Sequence, residues 1–287
     1  MELASIALHL TYAIALLVLT SMGLAVIYGM MRVINFAHGE FLMVGGYSLV
    51  LAHEAGVPLW IAMFIVAPLV VGALGLVIER VVIRHLYGRI LDTILATWGI
   101  SLLLIGLAST LFGHQQRGVA PPFGSFQLGA YRESYYSVFV IGVTLLLTVA
   151  IFVLLRRTRW GLTARGTMQN PRMAEALRVN TRAVYAWTFA AGAAISGLAG
   201  AVLAPLAGVV PTVGLVYVTN AFITVISGGA NAITGTLLAA TLFGTISEIG
   251  TRYGSPVIGL VALLLAAVVV LRLMPAGITG RIFRRSI

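Results

Sequence analysis

The chain has no cysteine and no lysine, and only 8 of its 287 residues are acidic. Without cysteine, disulfides, thiolate metal sites and thiol chemistry are excluded. Without lysine there is no GxxxxGK[ST] loop, so the chain has no P-loop of its own to hold ATP. The acids are scattered, and no HExxH motif, GxSxG elbow or paired-carboxylate cluster occurs, so nothing nominates the nucleophile and base of a hydrolase. Charged residues make up 9% of the chain, too few to clothe a soluble surface. No stretch of about 50 residues stands outside the apolar runs to form a soluble domain.

What fills the chain instead is apolar. Hydrophobic residues reach 60%, mean hydropathy is +1.04, and there are 32 glycines. These are the marks of an integral membrane protein whose helices approach closely through small residues. The net charge is +10, but its arginines cluster between apolar runs rather than along one amphipathic face. They set orientation in a membrane rather than bind nucleic acid. The first apolar run lacks a basic leader and a small-residue cleavage site, so it is expected to stay in the mature protein.

A spanning helix needs about 20 apolar residues. Runs of this kind cover Ile6 to Met31, Leu59 to Ile78, Thr93 to Phe112, Tyr136 to Leu155, Val184 to Leu206, Ile233 to Ile249 and Val257 to Leu273, with shorter ones at Phe36 to Leu51 and Val216 to Ile226. The expected fold is an all-α polytopic membrane protein of about eight or nine transmembrane or re-entrant helices, with broken helices in both halves. Residues 1–287 are expected to form a single transmembrane domain. Arg80, Arg84 and Arg89 mark one cytoplasmic loop, Arg281, Arg284 and Arg285 place the C-terminus inside, and Gly113 to Ser134 reads as an external loop. Gly192, Ser196 and Gly200, spaced four apart beside Gly197, predict a close helix contact. Asp92 and Arg89 read as a helix-start acid with a loop arginine, and Glu248 with Arg252 as an interfacial pair.

The longest polar stretch, Arg156 to Arg182, carries seven arginines against the single acid Glu175. By the positive-inside rule it is cytoplasmic. Within it, Asn170 reads as an N-cap and Pro171 as the first turn of a short helix with Met173, Ala174, Ala176 and Leu177 as its apolar stripe. Such a helix docks a partner, or the loop lies on anionic lipid headgroups. Two glycine-rich polar breaks, Ile34 to Glu40 and Ser227 to Asn231, interrupt the two halves, and paired breaks point to a solute route. Asn35, His38, Glu40, Ser227 and Asn231 are its candidate lining. Against that, Glu40 can pair with Arg32 at the interface, His38 can cap or pack against a neighbouring helix, and Ser227 and Asn231 can simply cap helix ends.

The run INFAHGEFLMVGGY (Ile34 to Tyr47) resembles the signature of permease subunits of bacterial branched-chain amino acid ABC importers, a family that includes urea and short-chain amide permeases. Thr167 to Leu206 is similar to that family's coupling segment, and Gly214 to Gly244 to its late glycine-rich segment. The resemblance implies a multi-pass protein of the bacterial inner (cytoplasmic) membrane, in contact with lipid and using no cofactor. It further implies a second homologous permease, two cytoplasmic ABC ATPases and a periplasmic solute-binding protein as partners. Asn170 to Asn180 would then be the coupling helix, with Asn170, Arg172, Met173, Glu175, Ala176, Leu177 and Arg178 meeting an ATPase. The family usually has glycine where Arg178 stands, so the turn after the helix is expected to differ or Arg178 to contact the ATPase itself.

The chain then performs no covalent chemistry. Its expected solute is small and uncharged or zwitterionic, branched-chain amino acids first. Urea or a short amide is the alternative, since MQNPRM and VVPTVGLVYVTNAFITV look somewhat closer to the urea-type branch. A self-sufficient ion-coupled carrier or channel and a membrane enzyme are the readings from other classes.

Overall fold

The protein is described by a computed structural model that covers residues 2–128, 131–229 and 231–283. Nearly all of it is helix, as expected for a chain that must satisfy its backbone without water. In order come α1 (Glu2–Met31), α2 (His38–Glu54), α3 (Leu59–Ile61), α4 (Ala67–Val81), α5 (Ile90–Phe112), α6 (Tyr135–Arg157), α7 (Arg159–Gln169), α8 (Pro171–Ala176), α9 (Thr181–Ala207), α10 (Val213–Gly228), α11 (Ala232–Tyr253), α12 (Pro256–Leu273) and α13 (Gly277–Phe283). A π-turn at Ala62–Val66 joins α3 to α4, just ahead of Pro68, whose missing N–H and ring clash a regular helix would not absorb.

Among the described residues seven helical runs are long and apolar enough to cross a membrane, Leu59–His85 (α3, the π-turn and α4) counting as one, and α10 is a shorter apolar helix. The eighth and ninth expected segments are thus α10 and the 17-residue α2, buried along most of its length. The segment expected as a plain external loop also holds a hairpin of two four-residue strands, β1 (Ser125–Leu128) and β2 (Tyr131–Ser134), paired antiparallel. On β2 the buried Glu133 accepts hydrogen bonds from Ser5 at 3.0 Å and His9 at 2.9 Å.

The chain divides into two compact units. One contains residues 22–120 and 150–219, the other residues 1–21, 121–149 and 220–287. The first is built around α9, which packs most extensively on α4 and α2. Most of α9 is buried, whereas α5 is largely exposed. Small residues make this possible. A methyl added at Gly45 would lie 2.1 Å from the Gly197 carbonyl oxygen, and one at Gly200 would overlap the Leu42 carbonyl. The expected small-residue ladder is therefore a close contact on two helices: Gly200, with Gly197 beside it, meets the backbone of α2, while Gly192 and Ser196 pack against Gly23 of α1. Around it Ile27, Val33, Phe41, Val71, Ile78 and Phe189 form an apolar core. In the second unit α11 packs mainly on α12.

Candidate functional site

The first break is a short non-helical passage between α1 and α2. Helix α1 ends at Met31, Arg32 takes a left-handed backbone (φ 51°), and helix resumes only at His38. Asn35 shapes the turn: its side-chain oxygen accepts from the Ala37 N–H at 3.1 Å, and its carbonyl from the His38 N–H at 3.2 Å. Its side-chain Nδ2 is buried and has no partner. His38 is buried and lies 3.2 Å from the Ser196 hydroxyl of α9, which itself donates to the Gly192 carbonyl.

Glu40 does not pair with Arg32. Arg32 is exposed, whereas Glu40 is fully buried and neither carboxylate oxygen has a hydrogen-bond partner. Ser101 of α5 stands near the carboxylate, yet no hydrogen bond of ordinary geometry closes between them. The turn at Arg32 separates in environment two residues that lie close in sequence.

The second break lies in the other unit, and Ala230 within it is outside the described residues, as are Arg284 and Arg285, on which the C-terminal orientation rested. Asn231 sits at the N-cap of α11 but its side chain caps nothing, so the capping alternative is not realised there. Ser227 is fully buried with an unpartnered hydroxyl. Gly229 and Gly277, both at positive φ (84° and 75°), meet so closely that a methyl on Gly277 would come 2.3 Å from the Gly229 Cα.

The polar stretch folds into two helices. The expected short one is α8: the Asn170 side chain accepts from the Met173 N–H at 3.0 Å, and Pro171 opens the first turn. Ala174 is buried beneath it, while Met173, Ala176 and Leu177 face outward, Leu177 with 73% of its surface exposed. Arg172 and Glu175 are also exposed, and Glu175 accepts a hydrogen bond from the Thr181 hydroxyl at 2.7 Å that ties α8 to the start of α9. The preceding α7 was not expected. Thr158 caps it by accepting from the Gly161 N–H at 3.0 Å, a cap signal the sequence does carry.

A family model described as "Branched-chain amino acid transport system / permease component" matches residues 6–276. The chain belongs to that family. Curated relatives include the high-affinity branched-chain amino acid transport system permease protein LivH of Escherichia coli K12, 28% identical over 279 residues, covering 92% of this chain and 91% of that one. BraD of Pseudomonas aeruginosa, of the same description, is 30% identical over 283 residues, covering 92% and 91%. A probable LivH permease of Methanocaldococcus jannaschii is 28% identical over 284 residues, covering 92% and 89%.

In this permease the turn after α8 is left-handed at an arginine. Arg178 sits at φ 62°, its N–H donates to the Glu175 carbonyl at 2.9 Å, and the Val179 N–H reaches back to Ala174 at 3.0 Å. That is the paired closure of a Schellman motif, which an L side chain makes under strain. Arg178→Gly is therefore expected to steady this turn by about 1 kcal/mol. Slower hydrogen exchange across residues 174–180 measures it, and unchanged or faster exchange contradicts it.

Sequence reading also missed the groups behind α8. A cavity of about 390 Å³ is lined by Glu175, Thr181, Arg182 and Tyr185 on one side and Arg84, His85 and Tyr87 on the other. Tyr87 packs its ring 4.9 Å from that of Tyr185 and donates to the buried Glu79 of α4 at 2.7 Å, where Arg84 also lies at 4.0 Å. Burial first, and then the hydrogen bond to Glu79, hold the Tyr87 hydroxyl far above the ordinary phenol range, so it stays a donor at any physiological pH. Asp92 and Arg89, expected as a helix-start acid with a loop arginine, pair at 2.5 Å at the head of α5.

Proposed function

We propose that this permease is the membrane-spanning subunit of an ATP-driven importer in the bacterial inner membrane, carrying branched-chain amino acids into the cytoplasm. A second permease subunit, two cytoplasmic ATPases and a periplasmic binding protein complete it. The observation that carries the reading is α8, a short helix capped at both ends whose Met173, Ala176 and Leu177 point outward, in a chain with no nucleotide-binding loop. An apolar knob among arginines suits a groove with acidic rims on an ATPase. Closure of the ATPases then pushes α8, and the Glu175–Thr181 bond passes the push into α9, the axis of its unit.

For the solute, the supporting observation is Glu40. A buried carboxylate without a cation is costly, and the ammonium of a zwitterionic amino acid is the group that would relieve it. Urea carries no such charge. Glu40, with Asn35 and His38, is assigned to the solute route at the first break, and Ser227 and Asn231, in the other unit, to the route at the second.

The test is reconstitution of the full complex in proteoliposomes. ATP hydrolysis stimulated by the leucine-loaded binding protein, with leucine uptake that requires ATP, is the expected result. Uptake by the isolated chain under a proton or sodium gradient would replace this reading with a secondary carrier. Capture of urea instead of leucine by the binding protein would overturn the solute.

A further inference from the structure

The two breaks, which share no sequence motif, are held by the same pair of devices. At the first, the Phe36 N–H donates to the Thr97 hydroxyl of α5 at 3.1 Å, while that hydroxyl donates to the Thr93 carbonyl of its own helix at 2.9 Å. Beside it Gly39 and Gly214 press together, a methyl at Gly39 falling 2.2 Å from the Gly214 carbonyl oxygen. At the second, the Asn231 N–H donates to the Thr279 hydroxyl of α13 at 3.1 Å, and that hydroxyl donates to the Gly228 carbonyl at 2.6 Å. Beside it lies the Gly229–Gly277 contact. Both threonines are buried, Thr97 completely and Thr279 to within 1%.

A backbone N–H released where a helix stops inside a membrane protein needs an acceptor, since lipid offers none. A hydroxyl is suited to this because it can accept while it donates. Most threonines in this chain's long helices do something quieter. Thr144 and Thr188, for example, return their hydroxyls to the carbonyl four residues back, at 2.8 and 2.7 Å. Thr97 and Thr279 differ in taking up a donor from a distant break, 61 and 48 residues away in the chain.

We propose that Thr97 and Thr279 are the positioning residues of the two breaks, each fixing one freed backbone N–H so that the break keeps the shape on which solute passage depends. The proposal rests on the reading of the breaks as part of the solute route. Neither threonine touches solute; each acts through the backbone it holds. Valine removes the hydroxyl at nearly constant volume and strands the N–H, whereas serine keeps the acceptor.

The experiment compares Thr97→Val, Thr97→Ser, Thr279→Val and Thr279→Ser in the assembled complex, reading hydrogen exchange across residues 32–40 and 227–235 together with ATP-dependent uptake. Each valine variant is expected to speed exchange at its own break and to lower uptake about tenfold, the effect of one stranded buried donor. Each serine variant is expected to restore both. Should a valine variant fail to assemble, Thr97→Ala and Thr279→Ala take its place, since alanine leaves room for a water on the N–H. Exchange that is the same in serine and in valine or alanine variants refutes the threonine assignment. Faster exchange with normal uptake overturns the proposal from the other side, because the breaks then lie off the solute route.

Discussion

Leu177→Asp is expected to leave the permease inserted in the membrane and, if α8 docks the ATPases as proposed, to separate it from them. Leu177 exposes 73% of its surface and Met173, four residues earlier on the same face of α8, exposes 59%, so neither carries much of the protein's own packing. A charge at such a position costs the isolated fold little. In an apolar groove it must be desolvated without a partner, and central contacts of that kind are worth about 2 kcal/mol or more. The expected result is a loss of ATPase co-purification of roughly thirtyfold, with uptake falling in parallel and the amount of inserted permease unchanged. Met173→Asp should behave alike. Glu175→Gln should not, because glutamine still offers an oxygen to the Thr181 hydroxyl and the brace between α8 and α9 persists. ATPases that co-purify with Leu177→Asp at the native ratio would remove α8 from the coupling role.

The parts of this architecture that follow local rules could be read from the chain. Apolar runs of spanning length became the long helices, and Asn170-Pro171 became the cap and first turn of α8, because both signals act within a few residues. Helix α7 was not legible. Gly161 and Gly166 lower its propensity, and it is held by packing on α8 and α9 that no local pattern announces. The hairpin before α6 was missed for a related reason, since four-residue strands are too short to show an alternation. Glu40 misled because proximity in sequence to Arg32 suggested a pair, and the left-handed turn between them was not foreseen. Thr97 and Thr279 are the deepest case. A threonine in a membrane helix ordinarily bonds its own backbone, and only the folded chain reveals a donor arriving from elsewhere.

The sharpest test of the solute is Glu40→Gln. The substitution keeps the size of the side chain and removes its capacity to carry a negative charge, next to Gly39, which packs backbone on backbone against Gly214. In a chain that had Glu40 only for packing, the amide would be neutral or even stabilising, because an unpaired buried carboxylate is replaced by a neutral group. If Glu40 instead receives the ammonium of an amino acid, the amide loses a charge-assisted hydrogen bond worth about 1.5–3 kcal/mol, which lowers uptake by tenfold or more. Assembly and ATPase docking should be intact, since α8 is not touched. The two outcomes therefore part at transport rather than at stability: a permease at least as stable that no longer passes leucine identifies Glu40 with the solute, and one at least as stable that transports normally assigns it to the scaffold. Uptake of a neutral amide through the same variant, measured beside leucine, should be spared, because such a molecule has no ammonium for the carboxylate to meet.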